Sequence, residues 1–461
     1  MEHKLKVSVV DFGAVPNADS VQTKAFQSAI DHCFLQGGGE ITVPEGVYIL
    51  GDIRIRSNTT LHLLKNAVLK GSKNPKDYRN ILNDPIEPLP EEQKPDTPWH
   101  SPWAWKKKGG GFKAYLYTAG SYWNYGLIRA AFAENIALIG EEGSLIDGNN
   151  VYDPDGEETY RGPHAINMHF CKNILFKNYT VKDSSNWAHA IFQSEKITFK
   201  NITVHGGHDA LHTRACSDVE MLGCTLLTGD DCIAGFDNIN VLIKDCEISS
   251  ACSALRYGGY NILVENCHIF APCPYQFRGS FPMEEKIAGV TKSSSPTARN
   301  NMLSMLTNFV SEDLPVRHAP GKIVFRNCRI ENADRLLHLN LSGNEGWQVG
   351  HPPKDITFQD ITAENISFGV YCYGDGEVPV TLNFNNVDYS VRDGFETDAV
   401  FKVAHLDSIN FKNVKIDNFD GETLIKNWSD GGVVNLDNFS CNLKENGLIN
   451  KAEEKFTCRS I

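Results

Sequence analysis

The chain has no long hydrophobic run. Nowhere in its 461 residues does an apolar stretch approach the roughly 20 residues that carry a helix across a bilayer. The start, Met1-Glu2-His3-Lys4, lacks the apolar core of a signal peptide. The chain as it stands is therefore expected in the cytoplasm, or outside it if a leader has been removed. Positive charge is in short supply: 44 Lys and Arg face 57 Asp and Glu, a net charge of -13. That balance argues against a nucleic-acid backbone as partner. It leaves room for an anionic polysaccharide held by a local Arg or Lys pocket. Thirteen cysteines are present, an odd number with no Cys-x-x-Cys pair, so neither a zinc ribbon nor a disulfide scaffold is indicated. Reduced, buried thiols are expected.

Long helical patterns are also scarce. Val7 to Ala14 reads as a strand and a turn. Thr23 to Gln36 reads as a helix, because Ala25, Phe26, Ala29, Ile30, Cys33 and Phe34 make one apolar face, and Gly37-Gly38-Gly39 stops it. Beyond it come short strands broken by Gly, Pro and Asn. From Asn173 a repeat takes over: a short apolar run, then Asn, Asp or Gly, then a further strand. The markers Asn178, Asn201, Gly223, Asp245 and Asn266 step by 23, 22, 22 and 21 positions, and further copies end at Asn327, Asp360, Asn386, Asn413 and Asn438. A period of this length without a helix in it predicts an all-β solenoid, a right-handed parallel β-helix, with the helix at 23–36 as a lid on its first turn. Cys224, Cys246, Cys267 and Cys328 directly follow markers, where other copies hold Tyr179, Ile202, Ile361, Val387 and Val414. Interchange with Ile and Val marks an inward column, not a metal site. The whole chain is expected to be one β-helix domain with insertions at about 81–125 and 271–320. The first is rich in Trp and Tyr, whose faces suit sugar rings.

Three carboxylates stand out against this repeat. Asp209 occupies a polar turn after the run Ile197 to Val204. Asp230 and Asp231 sit side by side, pinned between Leu226 and Ile233-Ala234. The 21 positions from Asp209 to Asp230 are close to the local period. The two then fall at nearly the same place on successive coils, with the Asp231 side chain directed differently. Like charges so placed favour a form in which one acid keeps a proton. Glycoside hydrolysis needs that proton for the leaving oxygen and a carboxylate on the other face. The same acids could instead form a calcium site or a turn cluster. A third alternative is a transition-metal site made by His205, His208 and His212 with Asp209.

Thr228-Gly229-Asp230-Asp231-Cys232-Ile233-Ala234, preceded by Asp209, resembles glycoside hydrolase family 28, the polygalacturonases, and looks most like their bacterial exo-acting branch. Val10-Asp11-Phe12-Gly13-Ala14, Gly37-Gly38-Gly39, Tyr125-Gly126-Leu127-Ile128 and Ile146-Asp147-Gly148 are similar to the same family. The resemblance implies a parallel β-helix and hydrolysis with inversion. Asp230 would be the general acid, Asp209 and Asp231 would hold and activate water, and neither metal nor cofactor would be needed. Three departures are visible. Gly207-His208-Asp209 replaces the family's Asn-Thr-Asp. The family histidine is missing near Cys252-Ser253-Ala254. Near Phe277-Arg278-Gly279-Ser280 the arginine of an Arg-Ile-Lys clamp is kept as Arg278 and its lysine is lost. The substrate is accordingly expected to be a pectic or rhamnogalacturonan-like oligosaccharide or a neutral sugar, not plain polygalacturonate. Arg278, His208, His212, Arg256 and Tyr257 are the candidate sugar contacts. A polysaccharide lyase and a non-catalytic carbohydrate-binding β-helix are the competing readings of the same fold.

Overall fold

A computed structural model of the chain describes residues 5–78, 125–310, 316–341, 348, 351–421, 423–429, 431–441 and 457–460. The aromatic insertion at 81–125, apart from Tyr125, lies outside the described residues.

The coil repeat has a backbone cause. All ten marker positions, from Asn178 to Asn438, are left-handed, with φ between 50 and 61°. Only glycine and, among side-chain-bearing residues, Asn and Asp enter this region readily. The chain therefore uses these residues at this bend of each copy. Their side chains then stack from coil to coil. Asn327 Nδ2 donates to Asn266 Oδ1, Asn413 to Asn386 and Asn438 to Asn413, each at 2.8 Å. Between turns the strands pair in parallel register, as in Ile174 opposite Ile197 and Ile197 opposite Val219. Alternation sends these side chains inward. Phe176 stacks on Phe199 at 4.9 Å, and Phe358 stacks on Phe384 at 5.0 Å. The fold is a right-handed parallel β-helix.

The cysteine column is core. Cys224, Cys246, Cys267 and Cys328 are buried, and each thiol meets the carbonyl two residues back, at 3.6, 3.2, 3.3 and 3.3 Å. Helix α1, Thr23–Leu35, buries Phe26, Ala29, Ile30 and Cys33 beside the strand Gly39–Val43. The stretch read as a strand and turn at 7–14 is instead a short strand, Lys6–Ser8, and a 3-10 turn, Val9–Phe12. Ser8 and Asp11 form a reciprocal capping box there, which outweighs the β preference of Val9 and Val10.

The chain divides into two compact units. Unit 1 comprises Met1–Asp230 and Tyr275–Arg299; unit 2 comprises Asp231–Pro274 and Asn300–Ile461. Within the stretch expected as the second insertion, residues 275–299 carry a 3-10 turn, Arg278–Ser280, and helix α2, Met283–Ala288. Ser304–Asn308 is already a coil strand again, paired with Ser253–Glu265.

Candidate active site

Unit 1 carries Asp209 and Asp230 in turns that follow the short strands Thr203–Gly206 and Thr225–Thr228. These strands pair with Gly206 opposite Thr228, a step of 22. Asp230 thus comes one residue before the register equivalent of Asp209. Glycine precedes each turn for a steric reason. A Cβ on Gly207 would stand 2.6 Å from Arg278 Cβ, and one on Gly229 would stand 2.0 Å from the Gln276 carbonyl oxygen. The segment 275–299 presses on both turns, which accounts for glycine at 207 in place of the family's asparagine.

Asp209 is buried, and its Oδ2 lies 2.8 Å from His212 Nδ1. Arg214 Nε donates to His212 Nε2 at 2.6 Å. Arginine is always a donor, so Nε2 holds the lone pair and Nδ1 the proton. His212 is therefore the neutral Nδ1–H tautomer, and Asp209 accepts from it as a carboxylate. Trp187 lies flat against His212, with centroids 3.7 Å apart and planes 14° apart, and Arg214 sits 5.1 Å from the Trp187 ring.

Asp230 Oδ2 accepts from Arg161 Nη2 at 3.3 Å. Arg161 also holds Glu158 through Nε at 3.1 Å and Nη2 at 3.2 Å, so its charge is divided between two carboxylates. Burial pulls the Arg161 pKa down, but Tyr160, Glu157, Asp230 and Glu158 together hold it well above the ordinary value. Asn186 accepts from Arg161 Nη1 at 3.5 Å and donates to Glu157 at 3.0 Å. Burial pushes the Glu157 carboxyl up, against the pull of Arg161 and Asn186.

His208, Arg278 and Tyr160 form the other side of this cluster. The His208 ring stacks on Tyr160 at 5.9 Å, and neither ring nitrogen has a hydrogen-bond partner among the described residues. Burial, then Arg161 and Arg278, hold its pKa well below the usual imidazole range, so it is neutral. Arg278 is 1% exposed. Its Nη2 donates to the carbonyls of Asn150 at 3.3 Å and Lys286 at 2.9 Å, while Nε and Nη1 have no partner among the described residues. Burial pulls its pKa down to about 10. Lys286, on α2, places its ammonium 4.3 Å over the Tyr160 ring.

Unit 2 begins with Asp231. Its Oδ1 accepts the Ser253 N–H at 3.0 Å and its Oδ2 the Arg256 Nη1 at 3.4 Å. The two donors fix the orientation of its carboxyl group. The Arg256 guanidinium lies 4.6 Å over Phe309. Ser253, near the position of the missing family histidine, joins Thr307 through its hydroxyl at 3.1 Å. Tyr257 does not stand beside Arg256 as a surface contact. Strand alternation sends Arg256 outward and Tyr257 inward, where it is buried opposite Asn308.

The histidines do not form a metal-ligand set. His205 stacks on Tyr275, His208 on Tyr160 and His212 on Trp187, and His212 spends both nitrogens on Asp209 and Arg214. Several site residues were not singled out from sequence: Tyr160, Arg161, Trp187, Arg214 and Lys286. The period points to one of them, since Trp187 precedes Asp209 by 22 positions, and the adjacent ladder pairs His189 with Leu211 at that same step. Arg214 ends the coil strand Leu211–Arg214, opposite Phe192, while Tyr160, Arg161 and Lys286 come from a loop and a helix that follow no repeat.

The family model for glycosyl hydrolases family 28 matches residues 108–268, the stretch that holds all three aspartates. Over that stretch the chain is similar to glycosyl hydrolases family 28, and it is polygalacturonase-like. A probable polygalacturonase from Vitis vinifera is 26% identical over 250 residues, 51% of this chain and 45% of that protein. The plasmin and fibronectin-binding protein A of Streptococcus pneumoniae is 26% identical over 211 residues, 42% of this chain and 28% of that protein. The chain thus spans less than half the length of these two relatives. An exopolygalacturonase structure from Thermotoga maritima superposes with a TM-score of 0.57 at 16% identity, over 94% of this chain and 92% of that one. At that identity the match speaks for the fold.

Proposed function

We propose that this polygalacturonase-like chain hydrolyses a pectic or related acidic saccharide by single displacement with inversion. Asp230 delivers a proton to the glycosidic oxygen. Asp209 and Asp231 orient a water and take its proton as it attacks the anomeric carbon from the opposite face. Overall, the glycosidic C–O bond breaks, a C–O bond to water forms, and the proton lost by water restores the acid. The observation that carries this reading is the difference between the acids. Asp209 is fixed as a carboxylate by the His212 Nδ1–H, and Asp231 is oriented by Ser253 and Arg256, whereas Asp230 meets a guanidinium shared with Glu158. Carboxylates in unlike settings are what an acid and a base require.

An acidic sugar is favoured because Arg278 and Lys286 keep two cations beside Tyr160, although the lysine of the family clamp is absent from its sequence position. The unpartnered atoms of His208, Arg278 and Tyr160 suit hydroxyl and carboxylate oxygens of a bound sugar. Exo action is supported by the exo-poly-alpha-D-galacturonosidase of Dickeya chrysanthemi, 39% identical over 72 residues, 16% of this chain. The test is proton NMR of the chain with oligogalacturonate, rhamnogalacturonan fragments and neutral α-linked sugars. Release of a product with inverted anomeric configuration is expected, and retention would sink the three-aspartate scheme. The pneumococcal relative gives the second reading, a saccharide-binding β-helix without turnover. Binding in that panel with no release from any member would select it.

A further inference from the structure

Unit 2 carries a feature outside this site. From Arg256 an outward column runs in parallel register through Thr307, His338, Tyr371, Lys402 and Lys426. Five strand spacings span about 24 Å. Its far half is both cationic and aromatic. The Arg335 guanidinium lies 4.8 Å over Tyr371, and its shielded Nε has no hydrogen-bond partner among the described residues. Lys402 donates to the Tyr371 hydroxyl at 3.2 Å. Tyr373 meets Trp428 edge to face at 5.7 Å, and Trp428 is 56% exposed. A tryptophan this open is costly to keep in water. Among the described residues one carboxylate answers the three cations: Asp398, at 2.6 Å from Lys402 and 2.7 Å from Lys426.

We infer that Arg335, Tyr371, Tyr373, Lys402, Lys426 and Trp428 form a docking track for a uronate-bearing polysaccharide chain, on the sheet face of unit 2 that bears Arg256 and several strands beyond it. The argument is charge and shape. In a chain of net charge -13, three cations gathered on one outward face attract a polyanion locally. Aromatic faces beside them suit the apolar faces of pyranose rings, while Lys and Arg take the carboxylates. A nucleic acid would meet the same cations but also the acidic remainder of the molecule. The inference rests on the proposed acidic substrate, yet it is a statement about binding and is tested without turnover.

The test is native electrophoresis of the full chain, as the Asp230→Asn variant, through gels holding sodium polygalacturonate. Retardation relative to a plain gel is expected. Lys426→Glu and Trp428→Ala, both at accessible positions, are each expected to weaken the apparent affinity about tenfold. Lys415→Glu, the same charge change on an exposed strand position elsewhere in unit 2, is expected to leave it unchanged. No retardation, equal retardation of the track variants, an equal loss with Lys415→Glu, equal retardation by dextran, or tighter binding to single-stranded DNA would each overturn the track. Hydrolysis of oligogalacturonate, measured separately on the unsubstituted chain, reports on the active-site reading alone.

Discussion

Gly229→Ala tests whether the placement of Asp230 matters as argued. Gly229 does not have a left-handed φ, so alanine brings no backbone strain of that kind. The problem is space. The added methyl would stand 2.0 Å from the Gln276 carbonyl oxygen and 2.5 Å from its carbon, whereas real Cβ contacts essentially never fall under 3.0 Å. Backbone on one side or the other must give by at least about 1 Å, and the next residue along is Asp230. Overpacking of this kind costs about 1–3 kcal/mol. A displacement of about 1 Å at a reacting group costs about a hundredfold in rate. Gly207→Ala is the internal comparison. Its methyl meets Arg278 Cβ at 2.6 Å, so the shift required is less than half as large. The assay is kcat on oligogalacturonate for both variants, with thermal unfolding to confirm that each is folded. The expected order is a loss of about a hundredfold for Gly229→Ala and under about tenfold for Gly207→Ala. A folded Gly229→Ala with kcat within about threefold of the parent would refute the reasoning, as would a reversed order.

Asp230→Asn and Asp209→Asn should each lower kcat by at least about a hundredfold with little change in KM, and activity within about tenfold of the parent would remove either residue from the chemistry. Lys286→Met should raise KM for a uronate oligosaccharide about tenfold and leave a neutral analogue unaffected; equal effects on both would show that its charge is not used. His268 gives a pH prediction. Burial pulls its pKa down, but its contacts with Glu331 and Glu247 win, and the net direction is upward. A raised pKa in the folded state means that the contribution to stability is full below the ordinary imidazole value and is lost as pH rises through the raised one. The urea midpoint should therefore fall between about pH 6 and about pH 9, and His268→Gln should flatten that part of the curve; an unchanged slope would count against it.

The fold was legible because one residue class does one job in every coil. Asn, Asp and Gly recur at the period since the bend needs a left-handed residue, and those three tolerate it. The cysteines were legible for a related reason: a position shared with Ile and Val must be buried, and the thiols are. At 7–14 local chemistry decided against pattern. Val9 and Val10 favour a strand, but the reciprocal bonds of Ser8 and Asp11 close a turn around them.

The site was legible only where it repeats. Period brought Asp209 and Asp230 to successive coils and could have brought Trp187, one coil earlier. Strand alternation, had it been applied to Arg256-Tyr257, would have sent one side chain out and the other in. No periodic rule reaches Tyr160, Arg161 or Lys286, because each leaves the coil to return beside the acids by way of a loop or helix. The same distinction explains the departures from the family motif. Glycine at 207 is not a lost side chain but the space that Arg278 occupies, and Arg278 in turn donates to the carbonyl of Lys286, the residue that sets a second cation over Tyr160. A motif comparison made one position at a time registers two losses there. On the proposed reading the two belong together, with the Lys286 cation on the helix Met283–Ala288 answering for the lysine missing from the motif.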